Sequence, residues 1–130
     1  MKNVNPYIHF NGNAEEAFCF YRSVFGGDFS VMKRFRDLPD LMVKFLEDEG
    51  DKMMHIALPL GKNSMLRGSD TPKSLGTHNE RENRSKIYIS TESKEEADKL
   101  FQGLSADGQV EMPMENAPWN AYFGMLRDKY

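Results

Sequence analysis

A helix-capping signature that recurs 80 residues apart limits this chain more than any other feature. Asn13 precedes a helical run with Glu16 three positions on, and Ser93 precedes another with Glu96 at the same offset. In each, a short polar side chain can accept from the free N–H groups of the first turn while the glutamate reaches back. The first stripe is Ala14, Ala17, Phe18, Tyr21, Val24 and Phe25, and the second is Ala97, Leu100, Phe101 and Leu104. Both have helical spacing. Gly26-Gly27 stops the first helix and Asp107-Gly108 the second; glycine enters the left-handed cap conformation freely. Glu15-Glu16-Ala17 matches Glu95-Glu96-Ala97, and at the same offset residues 7–10 fall on 87–90. A match this short can arise by chance. The preceding strand, the shared cap and the shared helix length favour an internal duplication.

Strand-like segments surround the helices. They run over residues 4–10, 28–36, 52–60, 64–69, 86–91, 109–114 and 121–126. In the second, Phe29, Val31 and Lys33 share a face; in the third, Met54, Ile56, Leu58 and Leu60 alternate with Met53, His55 and Ala57. Residues 38–50 have no clear period and can hold a short helix or an irregular crossing. The expected fold is α+β, one domain of two β-α-β-β-β modules: residues 1–70, a polar linker over 71–85, and 86–130. The second module has room for only two strands after its helix, so its final strand is expected to be missing. That leaves a sheet edge unpaired, a liability that proteins cover or pair. Pairing with a second copy makes a homodimer the expectation.

Composition bounds the function. The 130 residues suit one domain, and 39% hydrophobic residues are too many for a disordered chain. Seventeen Lys and Arg against twenty Asp and Glu leave a net charge of −3, which argues against a nucleic-acid binder. One cysteine, Cys19, excludes an internal disulfide framework and fits a reducing, cytoplasmic setting. It falls off the apolar stripe of its helix and reads as a bystander. No apolar run reaches the ~18 residues of a membrane span, so no membrane partner is expected.

Asn5-Pro6-Tyr7, residues 11–17, Phe20-Tyr21, residues 24–29, Met54-His55, Gly68-Ser69-Asp70, Met112-Pro113-Met114, Trp119 and residues 122–125 together carry a likeness. The chain resembles the vicinal-oxygen-chelate superfamily of glyoxalase, bleomycin-resistance and dioxygenase proteins, and within it the PhnB-like branch. The resemblance implies paired modules whose curved mixed sheet encloses a cleft. Members usually continue past the position of Tyr130 with a final strand. This chain departs also at Arg67, where the branch tends to be apolar, and in the charged run 79–86. Metal-dependent members place ligands on the first and last strands of each module. The resemblance puts the first-strand positions at Pro6 and Ile87, neither of which can bind a metal. It therefore implies no metal and no cofactor. A methyltransferase name is common in the branch, yet Gly26-Gly27 follows a helix, whereas a nucleotide-type loop joins a strand to a helix N-terminus.

Candidate site residues follow. His55 can serve as hydrogen-bond donor or general base, or be a satisfied core histidine. Ser69 and Asp70 can orient a ligand, though Asp70-Thr71-Pro72 is also an ordinary turn signal. Trp119, Tyr122 and Met125 can line an apolar cleft, or be core as strand aromatics and methionines usually are. His9 is read as packed or superficial, and His78 as solvated. The leading expectation is a metal-free protein binding a small, partly apolar molecule. The alternatives are a lyase, isomerase or dioxygenase with displaced metal ligands (His55 and Asp70 its catalytic candidates), and a drug-sequestering resistance protein. Fold-level likeness does not choose among them.

Overall fold

The computed structural model describes residues 1–39, 47–82 and 84–130, which fall into two compact units, Met1–Glu82 and Asn83–Tyr130. In the first, β1 (Tyr7–Phe10), α1 (Ala14–Phe25), β2 (Val31–Arg34), β3 (Met53–Leu60) and β4 (Ser64–Asp70) follow in order. They form a four-stranded mixed sheet in the order β1-β4-β3-β2, with β1 parallel to β4 and the other pairs antiparallel. This is the β-α-β-β-β module expected from the sequence. Residues 40–46, most of the segment without a clear period, lie outside the described residues.

Strand alternation sorts the two faces of this sheet. Ile8, Phe10, Ile56, Leu58, Leu66 and Gly68 turn toward α1, where Ala14, Ala17, Phe18 and Tyr21 are buried. Phe18 meets Phe10 and Tyr21 edge-on, with ring centroids 6.0 and 5.7 Å apart, a favoured aromatic geometry. Gly68 permits this closeness: a Cβ there would stand 2.8 Å from both the Ile8 carbonyl oxygen and Phe18 Cε1.

The two helix starts differ despite their shared signature. Asn13 makes no side-chain cap; the Ala14 amide instead donates to Asp70 Oδ1 at 2.9 Å. A carboxylate at a helix N-terminus answers both the free amide and the helix dipole. In the second unit Ser93 caps as expected, accepting from the Glu96 amide at 3.1 Å, while Glu96 accepts from the Glu92 amide at 3.2 Å.

That second unit contains α2 (Lys94–Ser105), β5 (Gln109–Asn116) and β6 (Tyr122–Arg127), with β5 and β6 antiparallel and α2 against both. The expected strand at residues 86–91 is not formed; the segment is in no regular element. The first unit gives the physical reason. Among the described residues β1 is held only by β4, the third strand after the helix, and no strand follows β6. None of the described residues over 84–130 is buried.

Candidate functional site

The sheet face opposite α1 gathers the polar chemistry of the first unit. Tyr7 and His9 of β1 lie beside Arg67 and Ser69 of β4 in register. On the other side of β4, Arg67 pairs with Ala57 of β3, and His55, two residues back on the same face, pairs with Lys33 of β2. Arg67 Nη1 lies 3.1 Å from His55 Nε2. A guanidinium only donates, so Nε2 accepts and the imidazole is neutral with its proton on Nδ1. Partial burial, then the positive charges of Arg67 and Lys33, hold the imidazole's pKa below its ordinary value. The Tyr7 ring leans on His55 at 5.6 Å and on His9 at 5.1 Å. His9 stacks on His78 at 5.2 Å and has Ser69 Oγ at 3.5 Å from Nδ1.

His78, expected to be solvated, is exposed but held. Its ring meets Thr71 Oγ1 at 2.7 Å, and its amide and carbonyl both bind the Asn11 side chain. Asp70 occupies a different place from the other first-unit candidates. It is buried on the α1 side, with Oδ1 taken by the Ala14 amide and Oδ2 by the Met53 amide at 2.8 Å. Its carboxylate ties helix to sheet and leaves neither oxygen directed at a ligand. Of the first-unit candidates, His55 and Ser69 thus share the polar face, and Asp70 does not.

The second-unit candidates split in the same way. The Tyr122 hydroxyl donates to Asp98 Oδ1 at 2.6 Å, which raises the phenol's pKa, and Lys94 Nζ stands 5.1 Å from its ring centre. Tyr122 thus fastens β6 to α2. Met125 pairs with Met112 across the β5–β6 ladder. Trp119 lies against Phe123 at 5.7 Å and remains 69% exposed. A shallow hollow at the start of α2 is lined by Thr91, Glu92, Ser93, Lys94, Ala97 and Tyr122, and its cap hydrogen bonds are already made within the chain.

The family profile described as Glyoxalase/Bleomycin resistance protein/Dioxygenase superfamily matches residues 4–130. The chain belongs to that superfamily. The crystal structure of protein PA1353 from Pseudomonas aeruginosa superposes with a TM-score of 0.78 at 34% identity, covering 98% of this chain and 90% of that one. A PhnB protein from Bacillus cereus, which provisionally bears the name 3-demethylubiquinone-9 3-methyltransferase, gives a TM-score of 0.73 at 25% identity over 98% and 92% of the two chains. Protein YjdN of Escherichia coli (strain K12) is 24% identical over 130 residues, 98% of this chain and 88% of that protein. The PhnB-like likeness read from the motifs is thus shown, and so is the α+β fold class.

Among the described residues, the donors do not fit the metal chemistry that the resemblance implies. The ligand positions that the resemblance implies fall on Pro6, just before β1, and on Ile87, in no regular element, and neither side chain can bind a metal. β4 does end on a carboxylate, but Asp70 spends both oxygens on backbone amides. Among the described residues, no group of three or more His, Cys, Asp and Glu side chains is placed to hold a metal ion. In the sequence, Arg67 stands out only as a departure from the branch and Tyr7 only as part of a motif. The β1–β4–β3 register makes both of them neighbours of His55.

Proposed function

We propose that this protein binds a small, partly apolar molecule on the β1–β4–β3 face of its first unit, without a metal in the site. The observation that carries this reading is His55, kept neutral by partial burial and by the Arg67 guanidinium 3.1 Å from its Nε2, beside the half-exposed Tyr7 ring. An aromatic wall with a few convergent polar groups is the usual make-up of a small-molecule site. His55 Nδ1–H supplies a donor, Arg67 a charge, and Tyr7 an apolar surface with a hydroxyl at its edge. The neutral imidazole is also in the protonation state of a general base. Pro6 and Ile87 support a site organised by side-chain hydrogen bonds in place of an ion. The metal-dependent alternative gains nothing from the displaced pair, because Asp70 is buried on the opposite face with each oxygen accepting from a backbone amide.

We also propose that the protein acts as a cytoplasmic homodimer. Exposed Ile87, Tyr88, Ile89, Val110 and Met112 support a partner surface on the second unit. No described helix is long and apolar enough to cross a membrane, and the free Cys19 suits a reducing compartment.

Metal analysis of protein purified without chelator tests the metal-free reading. The expected content is far below one ion per chain. A tightly held Zn, Ni, Mn or Fe at one per chain overturns it.

A further inference from the structure

Charge on the proposed ligand face is one-sided. Lys33 and Arg67 both flank His55, and neither has a carboxylate partner among the described residues. Three other cations of the same unit have a carboxylate partner, while Lys2, Lys62 and Arg81 are in no such pair among the described residues. Arg34 pairs with Glu15, Arg36 with Asp51 and Lys52 with Glu49, while Arg22 lies 4.6 Å from the Phe29 ring centre. Arg67 spends Nη1 on His55, and a guanidinium has five donors in a planar fork that matches the oxygens of a carboxylate or phosphate.

We propose that Arg67, Lys33 and His55 form a binding site for the oxyanion group of a small molecule, with Tyr7 against its apolar part. The Arg67 fork takes two oxygens, Lys33 adds a second charge from the neighbouring strand, and His55 Nδ1–H adds a hydrogen bond. This rests on the ligand-site reading above and adds the charge class of the ligand.

A pH dependence follows. The titratable or charged groups around His55 are Tyr7 from β1, Lys33 from β2 and Arg67 from β4. The two cations oppose protonation of the imidazole. A bound anion offsets their field, so His55 protonates more readily, and by linkage the anion binds more tightly as pH falls through that range.

The test is a histidine NMR titration at constant ionic strength, in chloride and in sulfate, with His55→Gln assigning the resonance. Sulfate is expected to raise the His55 midpoint, and Arg67→Gln to remove most of that rise. Calorimetry with benzoate and its neutral counterpart benzamide gives the second readout. Benzoate is expected to bind about tenfold more weakly to Arg67→Gln, the scale of one charged hydrogen bond; Arg67→Lys should fall between, and benzamide should not respond. A His55 midpoint unmoved by sulfate, or benzoate affinity unchanged in Arg67→Gln, overturns the oxyanion site. Benzamide binding as well as benzoate leaves the ligand reading intact and removes only the anion. Failure of both aromatics beside a clear sulfate effect removes the ligand reading and keeps the anion site.

Discussion

Asp70 and His55 are both polar, both sit on the central strands, and do opposite kinds of work. Asp70 is buried and accepts from two backbone amides, those of Ala14 and Met53. Asp70→Asn keeps the shape, but turns an NH2 toward one of those donors. Hydrogen bonds to a charged group contribute roughly 1.5–3 kcal/mol each, so the variant should lose about 3 kcal/mol in urea denaturation. A loss below ~1 kcal/mol, within the range of one ordinary neutral hydrogen bond, would contradict the latch role. His55 instead registers pH. Its folded-state pKa lies below the ordinary 6.5, so the unfolded chain takes up the proton first. Its contribution to stability is present above pH 6.5 and is lost as pH falls through the folded-state value. Denaturation free energies measured downward from pH 7.5 should decline more steeply in the parent than in His55→Gln. Parallel curves would refute this assignment.

At the scale of elements, the two helix starts make a controlled comparison. Ser93→Ala should cost about 1 kcal/mol, the usual value of an N-cap. Asn13→Ala should cost much less, because Asn13 does not cap and its buried Oδ1 has no hydrogen-bond partner. Equal losses from the two in thermal denaturation would show that the carboxylate cap has been misjudged. Gly68→Ala should destabilise by roughly 1–3 kcal/mol, as overpacking does, since its Cβ would meet the Ile8 carbonyl and Phe18. Both helices and six of the seven expected strands were legible, because period and caps are local signals written within a dozen residues. Residues 86–91 carry the same local signal and form no strand, because a strand also needs a neighbour to bond. The Asp70 latch joins residues 56 apart, and a local capping box at Asn13 masked it. His55 could be singled out from its motif, but its contact with Arg67 depends on the β3–β4 register. Alternation puts Lys33 on the face of Val31, but only the β2–β3 register brings that face to His55.

At the scale of the whole molecule, the units differ in how far each can bury apolar surface. The first closes a core over Phe18, Met53, Ile56 and Leu58. In the second, no described residue is buried and Tyr88 is 90% exposed. Exposed Ile87, Tyr88, Ile89, Val110 and Met112 leave an apolar surface for a partner to cover, so the proposed homodimer should appear as twice the chain mass in sedimentation equilibrium. A single-chain mass across the concentration range would contradict it. The central claim concerns the first unit's sheet. Chelator-treated, isotope-labelled protein titrated with benzoate should show amide shifts concentrated at Tyr7, Lys33, His55 and Arg67. Shifts elsewhere, or shifts that arise only after a divalent metal is added, would contradict the account.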